Sequence, residues 1–308
     1  MQKTKKPACR QAGKLLVILG PTASGKTDLS IKLAKKYNGE VVSADSRQVY
    51  NGLNIGSGKI TKKEMQGTPH WMLDIANPKR KFTVSQYQKI ALKAIKNIQK
   101  RSRLPILVGG TGFYIQSIVD GIVIPKVKPN WKLRKKLAKK SNKELYNLLL
   151  EKDPKRANNI DRHNPRRLIR ALEIVISTNK PVPEFSENPA LTDFKILQIG
   201  IKKSPQEFKR AIKNRLLKRL KNNTLINEVK KLHKSGLSWK RLEEFGLEYK
   251  FVAQYLQDKI TWQEMINKTQ TESEHFVKRQ MTWFKRDKRI HWVNNYKKAE
   301  KLVKQFIK

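Results

Sequence analysis

Residues 20–27 read GPTASGKT and fit the phosphate-binding pattern G-x-x-x-x-G-K-T. In such a loop, backbone N–H groups converge on an anion, and the following helix adds its positive end. Lys26 is expected to reach a terminal phosphate, and the Thr27 hydroxyl is expected to bind Mg²⁺. The predicted phosphate site comprises Gly20, Pro21, Thr22, Ala23, Ser24, Gly25, Lys26 and Thr27. The loop alone leaves open a nucleoside triphosphate, a monophosphate ester or a diphosphate as its ligand.

Two further loops carry polar residues directly after apolar runs. Asp45, Ser46, Arg47 and Gln48 follow the run GEVVSA. Gln48 has a side chain that can bond an adenine edge at two points, and Asp45 has three possible roles: outer-sphere magnesium residue, helix cap or general base. Thr111 lies in the segment GGTG, where a P-loop kinase or ATPase usually carries an acid. Asp45 is thus the only carboxylate that these loops offer.

These loops need a common support. Strands predicted at 15–19, 39–44 and 104–108 alternate with helical patterns, which indicates a parallel sheet whose ligands bind beyond the carboxyl ends of the strands. We therefore predict an α/β fold with a P-loop NTPase-like parallel sheet flanked by helices. An inserted all-helical domain is predicted at 121–190, between core segments at 1–120 and 191–308.

Composition points to a polyanionic partner. The 308 residues include 68 Lys and Arg against 25 Asp and Glu, a formal charge of +43. Nucleic acid explains this charge best, although a general lysine bias accounts for part of it. The single cysteine, Cys9, excludes disulfide frameworks within the chain, and the scattered histidines show no metal-ligand spacing. No membrane-spanning run is present, so we expect a cytoplasmic protein.

The predicted insert contains a cluster of arginines. The residues of its apolar stripe are Leu168, Ala171, Leu172 and Val175. Arg166, Arg167 and Arg170 lie off this stripe. A solvated helix face is the usual interpretation, but planar guanidinium groups beside a phosphate-binding domain fit a nucleic-acid backbone at least as well.

Taken together, several segments resemble the tRNA dimethylallyltransferase family over nearly the whole chain. The segments are GPTASGKT at 20–27, SADSRQVY at 43–50, NIGSGK at 54–59, HWMLDI at 70–75, LVGGTGFYIQ at 107–116, RRLIRALEI at 166–174 and FVKRQMTWF at 276–284. The resemblance implies transfer of a dimethylallyl group from dimethylallyl diphosphate to N6 of the adenosine just 3′ of a tRNA anticodon. The partners would be dimethylallyl diphosphate and the anticodon stem-loop of tRNA, with Mg²⁺ as cofactor, and we expect a monomer.

The resemblance also assigns roles to residues. It implies catalytic roles for Asp45 as general base, for Thr111 in the channel between the substrates and for Lys26 at the diphosphate. Arg215 would join residues 20–27 around the diphosphate, and Thr27 would bind Mg²⁺. The residues implied in tRNA binding are Asp45, Ser46, Arg47, Gln48, Arg134, Arg166, Arg167, Leu168, Ile169 and Arg170.

Some positions depart from the family pattern, and other functions remain possible at this stage. Ile60 replaces a usual proline, and Thr224 and Glu248 stand where glycine is common. The rival functions are a P-loop small-molecule kinase, an isopentenyltransferase acting on free adenine nucleotides, and a nucleotide-gated RNA-binding protein without catalysis. ATP is expected to occupy the loop only as a weak competitor.

Overall fold

The computed structural model describes residues 13–125, 127–183 and 194–308, so Cys9 lies outside the described residues. The strands are β1 Lys14–Leu19, β2 Gly39–Ala44, β3 His70–Trp71, β4 Leu104–Gly109, β5 Lys195–Ile201 and β6 Ile290–Val293. The helices are α1 Lys26–Lys36, α2 Lys62–Met65, α3 Val84–Lys100, α4 Gly112–Val119, α5 Trp131–Leu137, α6 Asn142–Lys152, α7 Pro154–Asn158, α8 Pro165–Thr178, α9 Pro205–Leu220, α10 Thr224–Lys234, α11 Trp239–Glu244, α12 Leu247–Tyr255, α13 Trp262–Phe284 and α14 Tyr296–Ile307.

The six strands form one parallel sheet in the order β3-β2-β4-β1-β5-β6. The predicted α/β fold is therefore confirmed. Because β2, β4 and β1 are neighbours and run in the same direction, the three loops that follow them leave the same edge of the sheet. In the β1–β4 ladder the last paired residues are Leu19 and Gly109, so both loops begin where the ladder ends.

Alternation along the strands builds a core on each face of the sheet. Leu15, Val17 and Leu19 of β1 belong to one apolar cluster, while Leu16 and Ile18 belong to the other. Helices α3, α4, α10, α12 and α13 contribute to the first cluster, and α1 and α14 contribute to the second. A strand that is buried on both faces reads as a continuous apolar run, which is why β1 and β4 were recognisable in the sequence.

The chain divides into two compact units, residues 1–121 with 189–308 and residues 122–188. The second unit contains α5 to α8 and has its own small core, which includes Leu145, Leu149, Leu168 and Leu172. The helices that begin after Ser141, Asp153 and Asn164 are capped by these side chains. Within the described residues, no helix is both long enough and apolar enough to cross a membrane.

Candidate active site

The phosphate loop joins β1 to α1 through backbone in unusual conformations. Ala23 and Gly25 have φ angles of 60° and 91°, the left-handed region that costs a residue with a side chain about 1–2 kcal/mol. Gly25 is the N-cap of α1, so the loop ends on the positive end of that helix. The Ser24 hydroxyl is buried and has no hydrogen-bond partner among the described residues. This backbone is suited to enclosing an anion.

Lys26 opens α1 and is half-buried. Its Nζ donates to the carbonyl oxygen of Pro21 at 3.0 Å. Burial lowers the pKa of Lys26 to about 8; the charge of Asp45 opposes this shift and the charge of Arg215 adds to it. The free site therefore stabilises this ammonium group poorly, whereas an anion in the loop would stabilise it.

A second cation reaches the loop from α9. Arg215 donates from Nη1 to the Thr22 hydroxyl at 2.8 Å, and burial together with the charge of Arg219 lowers its pKa to about 10. Arg219, one turn further along, is 8% exposed. It donates to the carbonyl oxygen of Gly56 at 2.9 Å and forms an ion pair with Glu248. Two arginines therefore serve this side of the loop. Arg215 contacts the loop directly, and Arg219, which is paired with the Glu248 carboxylate, lies next to Arg215.

Asp45 follows β2 and shares this electrostatic environment. Its Oδ1 accepts hydrogen bonds from the backbone N–H groups of Arg47 at 2.8 Å and Gln48 at 3.3 Å. A tight turn, not a helix, follows it, so the helix-cap role is excluded and Asp45 caps this turn instead. The Asp45 carboxylate acts on Lys26 and Arg215, raising the pKa of each. The general base suggested by the sequence and the phosphate loop therefore lie in one site.

Thr111 connects the β4 loop to the β2 loop. Its hydroxyl accepts a hydrogen bond from the Ser46 N–H at 3.0 Å, and its own N–H donates to the Ala44 carbonyl at 3.1 Å. Although Thr111 is the N-cap of α4, its side chain makes no capping bond there. The hydroxyl instead fixes the turn that carries Asp45.

Arg47 and Gln48 are engaged with other parts of the protein. Arg47 donates from Nε to the Phe245 carbonyl at 2.6 Å, and burial lowers the pKa of its guanidinium group. The Gln48 amide accepts from the Ser43 hydroxyl and donates to the Gly58 carbonyl, both at 3.2 Å. Gln48 would have to exchange these contacts to bond an adenine edge, so its predicted role in base recognition stays a prediction.

The site also contains a residue to which sequence analysis gave no role, Gln280 of α13. Its amide accepts from the Thr22 N–H at 3.0 Å and donates to the Gly110 carbonyl at 2.7 Å. Lys203 approaches the same loop and donates to the Ala23 carbonyl at 3.3 Å. Gln280 lies within the motif FVKRQMTWF, but a helical pattern does not reveal which loop a buried amide will meet.

Glu228 of α10 is a second residue that the sequence did not single out. Its carboxylate accepts from the N–H groups of Asn54, Ile55 and Gly56 at 2.7–3.0 Å. It also accepts from the Tyr249 hydroxyl at 2.8 Å. The NIGSGK loop, which provides the Gly58 carbonyl to Gln48, is therefore held by one carboxylate more than 170 residues away in sequence.

In the helical unit, two of the predicted tRNA-binding arginines form ion pairs with one buried glutamate. Arg134 makes a two-point contact with Glu173, with both distances 2.7 Å. Arg170 also pairs with Glu173 and donates to the Val127 carbonyl at 3.2 Å. Because the Glu173 side chain is fully buried, these arginines compensate a charge that would otherwise be costly.

The other residues of segment 166–170 differ in how far their side chains are exposed to solvent. Arg166 and Arg167 are exposed, Ile169 is half-buried, and Leu168 is fully buried in the core of this unit. The Leu168 side chain belongs to the apolar stripe that packs α8, so only the backbone of this residue could meet RNA, and its role in tRNA binding stays a prediction. Arg166 and Arg167 are the most exposed arginines of this segment.

The described part of the site offers few side chains that could coordinate a magnesium ion. No group of three His, Cys, Asp or Glu side chains suited to a metal occurs within residues 13–125, 127–183 and 194–308. Thr27 lies exposed in the first turn of α1 beside the loop. This arrangement fits Mg²⁺, which keeps several waters and is usually bound through substrate phosphates with one or two protein oxygens.

Comparison with known proteins agrees with this architecture. A family model described as IPP transferase matches residues 48–287. The chain is 38% identical to a tRNA dimethylallyltransferase of Thermoanaerobacter sp. strain X514, with 96% of each chain covered. It is 42% identical to a tRNA dimethylallyltransferase 2 of Treponema denticola, with 90% of this chain and 95% of the relative covered.

Solved structures of two enzymes of this kind also match the chain over most of its length. The full-length tRNA isopentenylpyrophosphate transferase of Bacillus halodurans is 34% identical and superposes with a TM-score of 0.71, over 96% of this chain and 95% of that one. A eukaryotic dimethylallyltransferase acting on tRNA is 26% identical, with a TM-score of 0.76 over 92% of this chain and 74% of that one. The family model and these near full-length matches show that the chain belongs to the IPP transferase family.

Proposed function

We propose that this protein transfers the dimethylallyl group of dimethylallyl diphosphate to N6 of the adenosine 3′-adjacent to the anticodon in tRNA. The products are N6-(dimethylallyl)adenosine and diphosphate. The observation that carries this proposal is the pairing of the cationic loop around Lys26 with Asp45, the only carboxylate of the three loops. The relatives are named as enzymes that act on tRNA, which supports tRNA as the substrate of this protein.

The loop side of the site receives the leaving group. As N6 attacks the allylic carbon, the C–O bond breaks and negative charge grows on the diphosphate oxygens. Lys26, Arg215 and the N-terminus of α1 supply positive charge there, and removing one such donor typically costs about 3–4 kcal/mol of transition-state stabilisation. Mg²⁺ held by the diphosphate and Thr27 would supply Lewis-acid stabilisation when bound.

The carboxylate side receives the proton. The N6 amine is a weak nucleophile because its lone pair is delocalised into the ring, and forming the N–C bond requires loss of one N6 proton. Asp45 accepts that proton, a role that typically contributes about 10²- to 10⁴-fold in rate. The two N–H groups that bind Oδ1 orient the carboxylate. The target base must leave its stack to reach this residue.

The exposed arginines of α8 are proposed to hold tRNA. Arg166 and Arg167 can each contact a backbone phosphate, whereas Arg134 and Arg170 shape the surface by compensating Glu173. The strongly basic composition provides longer-range attraction for the polyanion.

One assay tests the function. Protein, Mg²⁺, dimethylallyl diphosphate and total tRNA are incubated without ATP, and tRNA digests are analysed by mass spectrometry for a prenylated adenosine. We expect product with diphosphate released in equal amount. A requirement for ATP with stoichiometric ADP release would instead favour the kinase, and prenylation of free adenine nucleotides in preference to tRNA would favour the other isopentenyltransferase reaction.

A further inference from the structure

Gln280 lies between two loops of the proposed site. Its side chain is buried, with 7% of the residue exposed. The Oε1 atom accepts from the Thr22 N–H of the phosphate loop, and Nε2 donates to the Gly110 carbonyl of the β4 loop. A buried amide with its acceptor and donor both satisfied is fixed in a single orientation.

Within the part of the chain that the structure describes, no ladder hydrogen bond joins the two loops at this point. The β1–β4 ladder ends at the pair of Leu19 and Gly109, and Thr22 and Gly110 both lie beyond that end. Gln280 therefore continues the cross-strand connection with a side chain from another helix. Its two hydrogen bonds join the loops directly beyond the end of the ladder.

The sequence around Gly110 is adapted to this approach. A Cβ atom at Gly110 would lie 2.5 Å from Nε2 of Gln280, and one at Gly112 would lie 2.3 Å from the ring of Trp283. Gln280 and Trp283 are three residues apart and so share a face of α13. The glycines of GGTG thus allow this face of α13 to pack directly on the backbone of the β4 loop.

The contacts extend from the phosphate loop to the carboxylate. Thr22 also receives Arg215 through its hydroxyl, and Gly110 is followed by Thr111, whose hydroxyl holds the Ser46 N–H beside Asp45. The link from Thr22 to Asp45 therefore consists of three hydrogen bonds and two peptide bonds, those of Gly110–Thr111 and Asp45–Ser46.

We infer that Gln280 is a positioning residue that sets the separation between the diphosphate-binding loop and the turn that carries Asp45. This inference rests on the proposed prenyl transfer. The amide is suited to the role because, at neutral pH, one planar group accepts from one loop and donates to the other. A displacement of about 1 Å between reacting groups can cost about 10²-fold in rate.

The first test is Gln280→Met, which keeps the length of the side chain and removes both hydrogen bonds. Steady-state prenylation of tRNA should show kcat reduced by about 10²-fold, with KM for both substrates changed by less than about fivefold. The matched control is Gln270→Met on the same helix, where the amide only donates to Glu274, and its kcat should equal that of the wild type. A loss of packing alone would not separate kcat from KM in this way.

The second test is Gln280→Glu, which keeps the inference falsifiable if the methionine variant does not fold. A carboxylate accepts from the Thr22 N–H but cannot donate to the Gly110 carbonyl, whereas the protonated acid can do both. The ratio of its kcat to that of the wild type should rise by at least about threefold as the pH is lowered from 8 to 5.5, because burial raises the pKa of a carboxyl group. A ratio that is independent of pH would overturn the inference.

The outcomes separate the two proposals. Wild-type protein that prenylates tRNA, together with a folded methionine variant of unchanged kcat, overturns the role of Gln280 and leaves the function intact. Wild-type protein that does not prenylate tRNA overturns the proposed function and this inference together.

Discussion

The lowered pKa of Lys26 predicts an unusual pH dependence for the use of dimethylallyl diphosphate. Burial brings this pKa to about 8 in the free site, and a bound diphosphate raises it by stabilising the ammonium form. Productive binding therefore requires a proton on Lys26. The pKa of Lys26 is lower in the free site than in the complex. The affinity for dimethylallyl diphosphate is therefore fully present below about pH 8 and is lost as the pH rises above it.

The magnitude follows from the fraction of protein in which Lys26 is charged. At pH 7 this fraction is about nine tenths, and at pH 9 it is about one tenth. Since only the charged form binds well, kcat/KM for dimethylallyl diphosphate at saturating tRNA should fall about tenfold per pH unit above pH 8. The diphosphate does not add to this slope, because phosphate esters complete their last ionisation near a pKa of about 6.

The assay compares three proteins between pH 7 and 9.5. Lys26→Gln should lower kcat/KM by at least about 10²-fold at pH 7 and should remove the alkaline slope. Lys32→Gln, an exposed position on the same helix, should retain both the wild-type value and the wild-type slope. A flat wild-type profile to pH 9.5, or an unaltered slope in Lys26→Gln, would refute the assignment of this slope to Lys26.

Three further substitutions give distinct signatures. Asp45→Asn keeps an oxygen for the turn but removes the proton acceptor, so prenyl transfer should fall by at least about 10²-fold while tRNA affinity in filter binding stays within a few-fold. Replacing Arg166 and Arg167 together with Gln should lower the slope of log affinity against log salt by about 1.4 to 1.8 units; an unchanged slope would mean a merely solvated face. Glu248→Gln should lower the free energy of unfolding in urea by about 3 kcal/mol because its arginine partner is buried, whereas the more exposed Glu244→Gln should cost less than about 1 kcal/mol.

Patterns of local origin in the sequence predicted much of the fold. The strand at 39–44 has the predicted limits, and β1 and β4 are each one residue longer than predicted. These strands are set by apolar runs and, for β1 and β4, by the glycines that follow them.

The phosphate loop and Asp45 were also recognisable because their residue types are informative within a few positions. Gln280 and Glu228 were not, since each acts on loops more than 150 residues away in sequence. An isolated glutamine or glutamate in an amphipathic helix has the same local signature whether it faces water or a buried N–H group. Only the packing of α10 and α13 against the sheet decides between these cases.

Glu248 stands where the resemblance leads us to expect glycine, and its tertiary contacts explain this difference. Glycine at this position would leave the buried guanidinium of Arg219 without its carboxylate partner, beside an Arg215 whose pKa is already lowered by that neighbour. The carboxylate also opposes the lowering of the Arg215 pKa. Glu248 therefore compensates the charge of a buried arginine that lies next to the cation contacting the phosphate loop.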